Sequence, residues 1–187
     1  MCIRDRIESK KMTVENLPFD MYELIEQIKI MFVPQISEKN LNFDVTCELE
    51  DTCYLGDKMR INQVLANLMS NACKFTDRGG SVWLSVTESR INENKSKLKF
   101  SVKDTGVGIN EKDIDRVFNS FEQAEGSNLR APGTGLGLSI SSSLVSLMGG
   151  DLKVKSEPGK GSEFYFIIEL PICLLYTSPS PRDGATS

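Results

Sequence analysis

Two hairpin signatures set the tightest limit on how this chain can fold. "SVWLSVTESRI" (81–91) and "KLKFSVKDT" (97–105) alternate apolar with polar residues across the polar "NENKS". "DLKVKSE" (151–157) and "SEFYFIIEL" (162–170) do the same across the turn "PGKG". Alternation with period two suits a strand with one buried face, and a short polar or Gly-Pro connection makes the two strands antiparallel neighbours. "LNFDVTCEL" (41–49) predicts one more strand ahead of both hairpins. Helical spacing fills the gaps. Met21, Leu24, Ile25, Ile28 and Phe32 share one helix face, with Asp20 as N-cap and Pro34 expected to kink or end the helix. Gly56 and Asp57 introduce a long helix that Asp57 caps. "EKDIDRVFNSF" reads as a short helix, "EQAEGSNLRAPGTG" as a polar loop, and "LGLSISSSLVSLMGG" as a helix ending at its glycines. Helices and antiparallel hairpins in mixed order, without internal repeats, imply an α/β (α+β) two-layer sandwich. One mixed, mostly antiparallel sheet is covered on one face by helices.

Composition narrows the function classes. The 187 residues suffice for one domain with a real core, and a net charge of -4 leaves no basic footprint for nucleic acid. The absence of histidine removes Ser-His-Asp and Cys-His catalysis and HExxH metal sites. Five cysteines without a C-x-x-C spacing favour free thiols in a reducing compartment. No apolar run approaches a membrane span, so a cytoplasmic location without membrane contact is expected, whether or not a longer parent is membrane-anchored. The ends differ in character from the rest. "MCIRD" (1–5) and the Ser- and Pro-rich "ICLLYTSPSPRDGATS" (172–187) are similar to translated adapter read-through at the edges of gene fragments. Both are expected to be non-native, the second also disordered.

Four stretches between the ends call for a chemical explanation. The long helix "RINQVLANLMSNACKFT" carries two stripes. Ile61, Leu65, Leu68, Met69 and Ala72 make an apolar one, while Asn67, Asn71 and Lys74 make a polar one about 60° wide. Seen alone, the polar stripe reads as a solvated face. "DTGVGI" (104–109) ends a strand, "FNSF" (118–121) leads into the loop, and "GTGLGLS" (133–139) opens a helix. Together they suit a nucleotide. Asp104 can accept a hydrogen bond from an exocyclic amine, and Gly106 and Gly108 let backbone approach closely. Gly133, Gly135 and Gly137 at a helix start can turn N–H groups toward phosphate, and Lys74 adds positive charge. The amide oxygen of Asn71 is a hard ligand suited to Mg²⁺. "GTGLGL" is not the Rossmann fingerprint, because Leu138 stands where its last glycine belongs. "PGKGS" is not a P-loop, because Gly161 follows the lysine.

The four stretches in order resemble the catalytic, ATP-binding domain of sensor histidine kinases, in the superfamily shared with gyrase and mismatch-repair ATPases (the Bergerat fold). "RINQVLANLMSNACKFT" resembles that family's N box, "DTGVGI" its first glycine box, "RVFNSFEQ" its F box, "GTGLGLSIS" its second glycine box and "PGKGSEFYFIIEL" its closing hairpin. The wording is most similar to hybrid kinases. The resemblance implies ATP and Mg²⁺ as cofactors, with Asn71 as metal ligand and Asn67 beside it near the phosphates. It implies Lys74 on phosphate, Phe75 at the adenine, Asp104 on the adenine amine, and Gly106, Gly108 and Ile109 along the pocket edge. Residues 122–133 would form a lid with Arg130 reaching phosphate, and Gly133, Thr134, Gly135, Leu136 and Gly137 would seat the phosphates. Phe118 and Phe121 would anchor the lid, or simply pack in the core. The lid lacks the doubled glycine of the commonest version, which bears on Arg130. Lys99, Lys103, Lys153 and Lys155 read as solvated strand faces, and Cys73 as a buried small residue.

In related hydrolases a glutamate stands where Asn67 does and activates water; an amide cannot act as that base. The family's acceptor is a histidine on a dimerisation hairpin, normally of the same homodimeric protein, and a response-regulator receiver domain follows downstream. Residues 6–16 would end that hairpin and residues 17–171 would form the catalytic domain. A serine kinase of the anti-sigma type and a nucleotide-binding pseudokinase module are the alternatives.

Overall fold

The computed structural model describes residues 14–114 and 136–173, without the side chains of 136 and 137. Strand β1 (Leu17–Asp20) runs into helix α1 (Met21–Glu38). Strands β2 (Asn42–Glu48) and β3 (Cys53–Gly56) lead to helix α2 (Lys58–Phe75). The hairpin β4 (Ser81–Asn92) and β5 (Lys95–Asp104) is followed by a short 3-10 turn, Glu111–Asp113. Helix α3 (Leu136–Leu147) and the hairpin β6 (Asp151–Glu157) and β7 (Gly161–Pro171) close the order.

Five strands form one sheet in the order β2-β4-β5-β7-β6. Every pairing is antiparallel except β2 with β4, which is parallel. A parallel pair needs a long crossover, and β3 with α2 supplies it. The alternation read from the sequence sorts the two faces. Val82, Leu84 and Val86 of β4, Leu98, Phe100 and Val102 of β5, and Phe164, Phe166 and Ile168 of β7 are buried in one cluster with the apolar faces of all three helices. Phe100 and Phe166 stack at its centre with centroids 4.9 Å apart. The opposite face is open. There Lys99 and Lys155 lie over the Tyr165 ring and Lys103 over Trp83, so these lysines are solvent-side residues with aromatic neighbours.

Local signals explain the helix starts. The Asp20 carboxylate accepts from the amides of Tyr22 and Glu23, and Asp57 from that of Arg60, satisfying donors that a first helical turn leaves unpaired. Helix α2 buries Ile61, Val64, Leu65, Leu68, Met69, Ala72 and Cys73, the apolar stripe read from the sequence plus two residues. Each large side chain so buried contributes about 1.5–3 kcal/mol relative to exposure.

Four features differ from the expectations. Helix α1 does not end at Pro34 but continues to Glu38. Pro34 lies on the exposed face, where water can take the carbonyl its missing N–H leaves free. Strands β4 and β5 extend further than the alternation suggests, shrinking the "NENKS" connection to a tight turn in which Asn94 donates to the Asn92 side chain. A second sheet, β1 with β3, was not legible in the sequence. Ile172 and Cys173, assigned to the tail, are buried; the Cys173 amide donates to the Cys53 carbonyl.

Candidate functional site

The candidate site is built on the C-terminal half of α2. Asn67 and Asn71 are half-buried, Lys74 is exposed and Phe75 is half-buried. The helix ends at Thr76, whose amide and hydroxyl both turn back onto the Ala72 carbonyl. One turn further back, Asn67 Nδ2 donates to Ser141 Oγ of α3 at 2.9 Å. That bond draws α3 against α2. Among the described residues the Asn71 side chain makes no hydrogen bond, and its amide oxygen is of the hard kind that suits Mg²⁺.

The "DTGVGI" turn meets this helix end directly. A Cβ placed on Gly106 would stand 2.4 Å from the Phe75 carbonyl oxygen, so only glycine lets the turn approach so closely. Asp104, at the end of β5, is 6% exposed. Its Oδ1 accepts from the Gly106 amide at 2.7 Å. Burial pushes its carboxyl above the usual range, and hydrogen bonds from the backbone of Gly106 and Ser162 partly offset this. Burial pushes the Cys73 thiol up, the Lys39 charge opposes this and Asp104 adds to it, an inert state that matches the expectation for a small buried residue.

Two more glycines close the arrangement from the β6–β7 side. Gly108 has φ +78°, and a Cβ there would stand 2.0 Å from the Glu157 carbonyl oxygen. A Cβ on Gly161 would stand equally close, 2.0 Å, to the Asp104 carbonyl oxygen. Ile109 is buried and its amide donates to Ser156 Oγ at 2.7 Å. The glycines of the first box therefore serve backbone-to-backbone packing within the protein. Gly161, read from sequence only as part of a turn, holds the closing hairpin against Asp104.

Phe75, Asp104, Gly106, Gly108 and Ile109 thus lie where the end of α2 meets the end of β5 and the β6–β7 hairpin, while Asn67, Asn71 and Lys74 lie along the C-terminal half of α2, Asn67 against α3. Phe118, Phe121, Arg130, Gly133, Thr134 and Gly135, with residues 122–133, lie outside the described residues. Leu136 and Gly137 begin α3. Ser141 and Ser156 carried no sequence signal: Ser141 is one of several serines on α3, and Ser156 is a lone serine in an otherwise charged alternation.

Comparison with known proteins agrees with this geometry. Residues 56–172 match the family described as "Histidine kinase-, DNA gyrase B-, and HSP90-like ATPase". The sensor protein GacS of Pseudomonas syringae pv. syringae is 40% identical over 169 residues, covering 89% of this chain and 18% of GacS. This chain thus spans about a fifth of that relative's length. Among solved structures, full-length ShkA in complex with AMPPNP superposes with a TM-score of 0.77 at 32% identity, covering 90% of this chain and 34% of that one. The histidine kinase ThkA in complex with the response regulator TrrA superposes with a TM-score of 0.68 at 26% identity, covering 91% of this chain and 46% of that one. The chain belongs to the histidine kinase-, gyrase B- and HSP90-like ATPase family, and its fold is that of histidine kinase catalytic domains. Among the described residues, no helix is long and apolar enough to cross a membrane.

Proposed function

We propose that this chain is the ATP-binding catalytic domain of a sensor histidine kinase. It delivers the γ-phosphoryl group of ATP to a histidine on a dimerisation domain, and a response-regulator receiver domain takes the group onward. One observation carries the reading: the Asp104–Gly106 turn is seated on the last turn of α2 through the Gly106–Phe75 contact. That contact seats a buried carboxylate against the end of the helix whose last two turns carry the Asn71 amide and the exposed Lys74 ammonium, which supports the reading. Asp104 is the acceptor for the adenine amine, and Phe75 packs beside the base. Lys74, with no partner among the described residues, is free for phosphate. Gly133, Thr134, Gly135, Leu136 and Gly137 are the phosphate seat, and Arg130 a second cationic contact. The Asn71 amide oxygen suits Mg²⁺, which when bound neutralises charge on the phosphates.

The reaction exchanges the P–O bond to the ADP leaving group for a P–N bond to the acceptor imidazole, which gives up its proton. Positioning and charge neutralisation suffice for such a transfer. Asn67 supports transfer over hydrolysis because an amide is no general base. The chain contains no histidine, so the acceptor belongs to another segment. The catalytic domain starts at residue 17 and runs past the expected end at 171 to include the buried Ile172 and Cys173, and residues 6–16 are the end of the dimerisation hairpin.

The test is transfer from γ-labelled ATP in the presence of Mg²⁺. The chain alone should not become labelled, and adding a histidine-bearing dimerisation hairpin should yield an acid-labile, alkali-stable label on the hairpin. Labelling of the chain itself on serine or threonine would replace this reading with that of a serine kinase.

A further inference from the structure

The last four carbonyls of a helix have no intrahelical donor. In α2 these belong to Ala72, Cys73, Lys74 and Phe75. Ala72 is served by Thr76, and Phe75 faces Gly106. The other two are bound by a side chain from a distant element. Lys39 Nζ, at the end of α1, donates to the carbonyls of Cys73 at 2.7 Å, Lys74 at 3.1 Å and Thr76 at 2.8 Å. The connection is reciprocal. The Gly79 amide donates to the Lys39 carbonyl, and Arg78 Nη1 to that of Glu38.

We infer that Lys39 is a positioning residue for the nucleotide site: its ammonium fixes the last turn of α2, and with it Lys74, Phe75 and the Asp104–Gly106 turn packed on Phe75. An ammonium has three donors, and all three are taken by backbone carbonyls here. Lys39 therefore has no donor left for a phosphate, in contrast to the exposed Lys74 two residues before the Thr76 cap. A cation at a helix C-terminus is also favoured by the helix dipole, so charge and hydrogen bonding act together. Without it, two carbonyls of the last turn lose their donor. The turn can then fray, and Gly106 loses the fixed surface it rests on. The inference rests on the ATP-binding reading above, because it concerns the shape of that same site.

The experiment measures affinity for a fluorescent, non-hydrolysable ATP analogue at a temperature well below the melting transition of each variant. Lys39→Met should weaken binding about tenfold, equivalent to about 1.4 kcal/mol. Lys39→Arg keeps the charge but spreads its donors in a plane, so it should recover most of that loss. Hydrogen exchange at the Thr76 and Gly106 amides should rise in Lys39→Met before any nucleotide is added. A purely structural lysine would lower the melting temperature and leave affinity in the folded protein unchanged. Should Lys39→Met not fold, Lys39→Gln takes its place. Unchanged affinity in either folded neutral variant overturns the inference and leaves the ATP-binding reading standing. Failure of the unmodified chain to bind the analogue overturns that reading, and the inference with it.

Discussion

Two carboxylates point into the helix-covered side of the sheet from opposite ends of the β4–β5 hairpin, and they are treated in opposite ways. Glu88, across from Leu98, is held by four donors. Ser96 donates to one of its oxygens. The Glu50 and Asp51 amides and the Tyr54 hydroxyl donate to the other. Burial alone would push its carboxyl up, but these hydrogen bonds outweigh it and hold it below the usual range. Asp104, across from Val82, has among the described residues only backbone donors, from Gly106 and Ser162, and burial wins, pushing its carboxyl up. The difference separates a structural carboxylate from one that the proposed ATP-binding reading uses. A carboxylate satisfied on both oxygens ties elements together, here the β2–β3 connection to the sheet. A carboxylate left under-satisfied in a buried place is costly to keep unless a ligand completes it.

The largest expected effect comes from breaking the Asp104 side of that contrast. Asp104→Ala should lower affinity for ATP by roughly 30- to 150-fold, about 2–3 kcal/mol, by removing a charge-assisted hydrogen bond. Its unfolding free energy should change by less than about 1 kcal/mol, because relief of burial offsets the lost Gly106 bond. Calorimetric titration paired with thermal melts checks both halves; unchanged affinity in the folded variant would show that Asp104 does not read the base.

Breaking the Glu88 side should do the reverse. Glu88→Ala leaves the Glu50 and Asp51 amides and the Ser96 hydroxyl short of an acceptor, while the Tyr54 hydroxyl keeps the Asp51 carbonyl, and should cost about 2 kcal/mol of stability, a fall in Tm of roughly 4–8 °C. Affinity for ATP should stay within about twofold. A large loss of nucleotide binding at full stability would dissolve the distinction between the two ends.

The smallest effect is the sharpest in sign. Glu88 has a folded pKa below its ordinary value, so its stabilisation is present above that value and lost as pH falls through the folded pKa. Asp104 has a folded pKa above its ordinary value, so its contribution is fully present below the ordinary value and lost as pH rises through the folded pKa. Melts between about pH 3 and pH 7 should therefore show Glu88→Gln flattening the acid loss of stability. Asp104→Asn should gain relative to the unmodified chain as pH rises. Parallel curves for both variants would contradict the opposite shifts.

Much of this protein was decided within a few residues of chain. The apolar stripe of α2, the caps Asp20 and Asp57, and both hairpins follow from periodicity and local hydrogen bonding, which act over one or two turns or across one tight connection. So they were legible, and the order of the motifs made the family legible as well. What the sequence could not supply lies in contacts between distant segments. The β1–β3 pair combines two four-residue strands too short, and too interrupted by Pro18 and Gly56, to show alternation. The parallel entry of β2 depends on how α2 crosses the sheet. Pro34 is tolerated because its side of α1 faces solvent, and only packing decides which side that is. Asn67 meets Ser141 across 74 positions, and Lys39 meets the end of α2 across 34 to 37. A serine or lysine looks the same in sequence whether it is solvated or satisfied. Only the folded chain brings an acceptor to it, because burial and hydrogen-bond partners are properties of neighbours in space.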